Sequence, residues 1–342
     1  MKAVMKTRPG PGLEIVDAPI PEVGPHDVLI KVIKNSICGT DVHIYTWDEW
    51  AASRIKPPLI FGHEFVGEVV EIGKEVKAVN PGDYVSAETH IYCGHCYLCR
   101  TGNPHVCLNL KILGVDTNGA FAEYVKVPEQ NVWKTDRTIP PEVAALQEPF
   151  GNAVYTALVE DITARTVAVF GGGPIGLMSV AVAKASGAAK VFLIEPYEFR
   201  LSLGEKMGAD RLINPSKENP IEVILDETGG LGVDVVLEMS GAEAAIQQMF
   251  KIIRNEGRIS LLGIPHKKIS IDFAENIIFK GIRIYGITGR RIFQTWYQTT
   301  AFLASGKVDL TPIITHQLKI DEIEKGMQLL IKKEAAKIVM EF

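Results

Sequence analysis

Hydrophobic positions change their spacing once along this chain, near Pro149. Before that point, short apolar runs rich in β-branched residues (DVLIKVIKN, FVGEVVEIG, DYVSAE) are separated by Gly, Pro and Asp. That pattern predicts short strands joined by turns. Gly67, Gly73 and Gly82 punctuate the segment as expected of a barrel or sandwich with tight corners. After Pro149 the runs become uninterrupted. TVAVF reads as a buried strand, PIGLMSVAVAKASG as a helix, and KVFLIE as the next strand. VDVVLEMS, RISLLGI and IRIYGIT continue the series. Apolar strands alternating with helices predict an α/β fold, a doubly wound parallel sheet covered on both faces. The C-terminal stretch adds an amphipathic segment, IDEIEKGMQLLIKK, and a last strand, AKIVMEF. Residues 212–220 and 265–270 read as surface connections.

Composition narrows the functional classes. A chain of 342 residues has room for two domains. Its net charge of -5 offers no attraction to nucleic acid or an anionic membrane. No apolar stretch approaches the ~20 residues of a membrane span. The N-terminus, MKAVMKTRPGPGLEIVDAP, has no apolar core of signal-peptide length. Five cysteines, an odd number with tight spacing, suit metal ligands in a reducing, cytoplasmic setting better than disulfides.

Those cysteines split four and one. Cys93, Cys96, Cys99 and Cys107 form C-x2-C-x2-C-x7-C, a spacing at which four thiolates can wrap one Zn2+ and leave no open position. A structural zinc is therefore expected there. Cys38 stands alone in ICGTDVH, and GHEFVGEVVEIG begins at Gly62. Cys38, His63 and a carboxylate from Glu64 or Glu148 could make a mixed site that keeps room for water or substrate. In FGGGPIG, Gly171, Gly173 and Gly176 form G-x-G-x-x-G after a strand and before a helix. Glu195 ends the following strand. This context predicts a dinucleotide site, with pyrophosphate at the helix N-terminus and Glu195 on the adenosine ribose. A carboxylate there disfavours a 2′-phosphate, so NAD is expected over NADP. Arg200 is placed either to stack on the adenine or to lie in solvent.

Together, GHEFVGEVVEIG with GDYV, the four-cysteine loop and FGGGPIG with Glu195 make the chain resemble the zinc-dependent medium-chain alcohol dehydrogenase superfamily over essentially its whole length. The resemblance implies a GroES-like catalytic domain on residues 1–150, completed by 291–342, and a Rossmann domain on 151–290, with a cleft between them. It makes Cys38, His63 and Glu64 the ligands of a catalytic zinc, beside a structural zinc on the four cysteines. Glu148, in EPFGN, falls where the family has an acid that ligates in some states or assists proton movement. Thr40 and His43 match a proton relay. The backbone of Ile175, the side chains of Glu195 and Arg200, and the segments Leu262, Gly263, Ile264 and Ile287, Thr288 match cofactor contacts. ICGTDVHIYTWDEW and GRRIFQTWY are similar to the branch that oxidises L-threonine at its 3-hydroxyl to L-2-amino-3-oxobutanoate, as a homotetramer. His90, Arg290, Arg291, Trp47, Trp50 and Trp296 are candidates to meet the ends of that substrate. A polyol or diol dehydrogenase on the same fold is the nearest rival. A non-catalytic NAD-binding protein is a more distant one.

Overall fold

The computed structural model describes residues 1–342. It divides into two compact units: Met1–Pro149 with Arg290–Ala304 and Ile314–Phe342, and Phe150–Gly289 with Ser305–Ile313. The return of the C-terminal stretch is thus split, where the sequence predicted one block from 291 to 342. The turn Thr311–Ile313 packs on the helix Glu198–Lys206 and draws its segment into the second unit.

In the second unit, six parallel strands form one sheet: Thr166–Phe170, Lys190–Ile194, Arg211–Ile213, Val233–Glu238, Ile253–Leu261 and Arg283–Gly286. Counted along the chain, they lie in the order 3-2-1-4-5-6. This is the doubly wound dinucleotide-binding topology. Central strands such as Val167–Phe170 are buried throughout, which explains their unbroken apolar runs. Phe170, Phe192, Val236, Ile259 and Phe250 share one core. The strand Arg211–Ile213 overlaps the segment 212–220 that read as a surface connection. Its three residues pair with Phe192–Ile194, too short a run to signal a strand on their own.

The first unit is β-rich. Its central strand, Asp27–Ser36, pairs antiparallel with Glu64–Ile72, Tyr124–Pro128 and Lys337–Glu341. The C-terminal strand Lys337–Glu341 also pairs with Ile314–Lys319. Gly67 permits a close strand approach, since a Cβ there would come within 2.3 Å of the Lys31 carbonyl oxygen. No helix is long and apolar enough to cross a membrane.

Candidate active site and dinucleotide site

Sheet register assembles the first site. Ser36 lies opposite Glu64 on one side and Val339 on the other. Cys38 follows Ser36 by two positions, at the N-cap of the helix Gly39–Thr46, and His63 directly precedes Glu64. Ligand atoms of Cys38, His63 and Glu64 consequently lie within 4.8 Å of one another. His63 and Glu64 are buried. His63 Nδ1 and Glu64 Oε1 have no hydrogen-bond partner in the protein, an unfavourable state for buried polar atoms. Burial alone would lower the His63 pKa. The negative groups beside it, chiefly Cys38 with Asp41 and Glu148, reverse the sign and raise it to about 10. A thiolate, an imidazole and a carboxylate in a negative field fit Zn2+ with one position left open.

Each ligand is oriented by a neighbour. Lys337, two positions before Val339, donates to Glu64 Oε2, as does Ser36, and also donates to the Ile37 carbonyl at 3.1 Å. Asp41 accepts the Cys38 N–H at 2.8 Å and stands 3.9 Å from His63 Nδ1. Burial raises the Asp41 carboxyl to about 6 despite His63. Thr40 Oγ1 is 3.7 Å from Cys38 Sγ. His43 is half exposed, with Nδ1 2.5 Å from Asp48 Oδ2 and its ring edge-on to Trp50.

Glu148 is not part of that compact ligand set. Its Oε1 accepts from Thr89 at 3.1 Å and from Arg290 Nη1 at 2.5 Å. Arg290 is fully buried and also holds Glu88, which accepts the Trp296 indole N–H at 2.7 Å. Two carboxylates therefore occupy Arg290, and Trp296 is a core residue. Both were candidates to meet the ends of the substrate, and both are engaged inside the protein. Burial, aided by the Arg290 charge, lowers His90 to about 4, so its imidazole is neutral near pH 7. Trp47 packs against the core with Lys6 over its ring, and Trp50 and Arg291 are exposed.

Glu88 makes the network sensitive to acid. Burial opposes its charge, but Arg290 overrides it and holds the carboxyl down to about 2. Its contribution is complete above the ordinary value of 4.5 and is lost as pH falls through 2. A shift of that size corresponds to roughly 3 kcal/mol. We expect Glu88→Gln to lower Tm at pH 7 and to flatten its decline between pH 4.5 and 2. A wild-type acid profile in this variant would remove Glu88 from the account.

The four-cysteine loop is closed. Its sulfur–sulfur distances are 3.5 Å for Cys96–Cys99, 3.5 Å for Cys93–Cys107, 3.8 Å for Cys96–Cys107 and 4.0 Å for Cys93–Cys99. Thiolates ~2.3 Å from one centre stand about 3.8 Å apart along a tetrahedron's edges. The Cys93 and Asn109 amides donate to Cys107 Sγ at 3.3 Å each, stabilising negative charge on sulfur.

The second unit carries the nucleotide fingerprint. Gly171 has φ +96°, and a Cβ on Gly176 would fall 1.9 Å from the Gly171 carbonyl oxygen. Gly173 caps the helix Pro174–Ala185 and faces open space, where a phosphate can meet free amides. Glu195 Oε2 accepts the Gly172 N–H at 2.6 Å and Oε1 accepts the Tyr197 N–H at 3.0 Å. Arg200 lies over the Tyr197 ring at 5.6 Å and 3.9 Å from Glu195. Leu262 and Gly263 donate to the Glu238 carbonyl just beyond the strand Ile253–Leu261, next to the exposed Ile264. Ile287 and Thr288 follow the neighbouring edge strand.

Residues 24–137 match the model of the alcohol dehydrogenase GroES-like domain, and residues 174–305 match that of the zinc-binding dehydrogenases. The L-threonine 3-dehydrogenase of Caldanaerobacter subterraneus subsp. tengcongensis is 54% identical over 341 residues, 99% of this chain and 98% of that one. The chain belongs to the zinc-binding alcohol dehydrogenase family. Among solved structures of these dehydrogenases, a Sinorhizobium meliloti protein bound to NADP matches with a TM-score of 0.92 at 30% identity, covering 100% and 99% of the two chains. A 2R,3R-butanediol dehydrogenase from Bacillus subtilis matches at 0.90 with 30% identity and the same coverage.

Within this dehydrogenase, sequence reasoning missed Asp41, Gly172, Glu88 and Lys337. Asp41 stands inside the quoted CGTDVH, so the chance to see it was there. Gly172 lies between the fingerprint glycines. Glu88 and Lys337 carry no local signal, because their partners are distant in the chain.

Proposed function

We propose that this dehydrogenase oxidises L-threonine at its 3-hydroxyl, giving L-2-amino-3-oxobutanoate, NADH and a proton. The observation that carries the reading is 54% identity to an L-threonine 3-dehydrogenase along 99% of the chain. The compact Cys38, His63 and Glu64 set supplies the chemistry that reaction needs. Zinc held there, as a Lewis acid, would bring an alcohol's pKa from ~16 toward ~7. The Gly171–Gly176 turn would hold NAD+, which would supply the hydride acceptor for C3. Thr40 offers a hydroxyl beside Cys38 through which the proton can leave. His43 can accept it at Nε2, because Asp48 occupies Nδ1. Glu195 would bind the adenosine ribose and repel a 2′-phosphate. A second zinc on Cys93, Cys96, Cys99 and Cys107 has a structural role. The first unit is thus the catalytic domain and the second the cofactor domain.

The reading includes a cytoplasmic homotetramer. Reduced cysteines suit that compartment. The strand Arg283–Gly286 is a sheet edge, and Phe273, Ile278 and Phe279 are exposed in the same unit. A solution mass other than four times the 37.5 kDa chain would refute this part.

NADH formation on a panel of L-threonine, 2R,3R-butanediol and sorbitol, with NAD+ and NADP+, tests the function. We expect kcat/KM for L-threonine to exceed the diols at least ~10-fold, about 1.4 kcal/mol, and NAD+ to exceed NADP+ likewise. Preference for butanediol would favour the diol reading, which the Bacillus subtilis structural match supports. No turnover of any alcohol would favour a non-catalytic NAD-binding protein.

A further inference from the structure

We infer that Arg290 is a positioning residue that holds Glu148 away from the catalytic metal and so keeps the protein's ligands to three. The inference rests on the reading that Cys38, His63 and Glu64 bind zinc. Two buried glutamates stand near His63, and both act on its charge field or its ligand set. Their partners separate them. Lys337 and Ser36 take Oε2 of Glu64, and its Oε1 remains unpartnered within the ligand set. Arg290 and Thr89 both take Oε1 of Glu148, which lies outside that set.

Arg290 can do this because it is itself fixed. Its Nε meets Glu88 Oε2 at 2.9 Å, its Nη2 meets Glu88 Oε1 at 2.5 Å, and Nη2 also meets Thr89 Oγ1 at 2.9 Å. That leaves Nη1 for Glu148. Trp296 Nε1 and the His90 amide donate to Glu88 in turn, at 2.7 and 2.9 Å. A planar fork can bridge two carboxylates at fixed angles, whereas an ammonium is a single point of attachment. The whole network is buried, so releasing Glu148 from Arg290 exposes it to the nearest alternative cation.

Arg290→Lys tests this while preserving the charge. Lysine satisfies the Glu88 side and frees Glu148. We expect the catalytic zinc to be held about tenfold more tightly in competition with a chelator, through the added carboxylate. KM for L-threonine should rise with it. Arg290→Lys combined with Glu148→Gln should return zinc affinity to the wild-type value. A merely structural role for Arg290 would loosen the metal instead, and that result would overturn the inference. Glu148→Gln alone, with Arg290 intact, gives a measurement that does not depend on the lysine variant folding. Its zinc affinity should match wild type within about twofold, and a loss of tenfold or more would mean that Glu148 is already a ligand. The underlying reading fails separately, if Cys38→Ser leaves the zinc content unchanged.

Discussion

Cys38→Ser is expected to reduce kcat/KM for L-threonine by at least about 10^3-fold, or roughly 4 kcal/mol of transition-state stabilisation. The change removes one sulfur and leaves a hydroxyl that stays protonated at neutral pH. A neutral, hard oxygen is a poor replacement for a soft anionic donor. The fold should be unaffected, because Cys38 is a helix N-cap residue and serine is itself a favoured cap that can take its place. The expected signature is a lost zinc equivalent with Tm within a few degrees of wild type. Retained NADH formation in the variant would sink the catalytic-zinc account and leave the three-residue set as a structural feature.

Cys107→Ser should behave in the opposite way. Cys107 is the buried member of its cluster, and the loop around it has little apolar core. Tyr97 is 73% exposed and Leu108 71%. Without packing, the loop's order depends on its four sulfurs closing on one centre, so binding energy there is folding energy. A loss of about 3 kcal/mol would lower Tm by roughly 6–12 °C in domains of this size. Residual kcat/KM per folded molecule should remain near wild type at low temperature. Unchanged Tm and zinc content would show that these cysteines hold no metal.

The two variants divide stability from chemistry, and the division follows from chain distance. The four-cysteine loop spans only 15 positions, Cys93 to Cys107, and the nucleotide fingerprint is a turn between one strand and one helix. Local spacing sets the geometry of both, so both were legible before any fold was known. The same holds for the parallel sheet. Strands buried on both faces must be apolar at every position, and TVAVF and KVFLI carry that requirement openly.

The mixed metal site is a different case. The identities of Cys38 and His63 were visible, but the residues by themselves left Glu64 and Glu148 as alternatives, and only the family resemblance favoured Glu64. Both are carboxylates near an imidazole, and primary sequence assigns them the same chemistry. In the fold, different cations hold the two carboxylates apart. Lys337 reaches Glu64 only because the C-terminal strand pairs beside Ser36, about 300 positions away in sequence. Arg290 reaches Glu148 and Glu88 from 142 and 202 positions away. Burial raises the strength of each pairing, since charges taken from water must find partners inside the protein. The sequence by itself determined which donors are present and the two local turns that hold four sulfurs and a dinucleotide. Sheet register and the burial of Arg290 and Lys337 decided which carboxylate joins Cys38 and His63 in a compact set, because that depends on residues that meet only when distant strands pair.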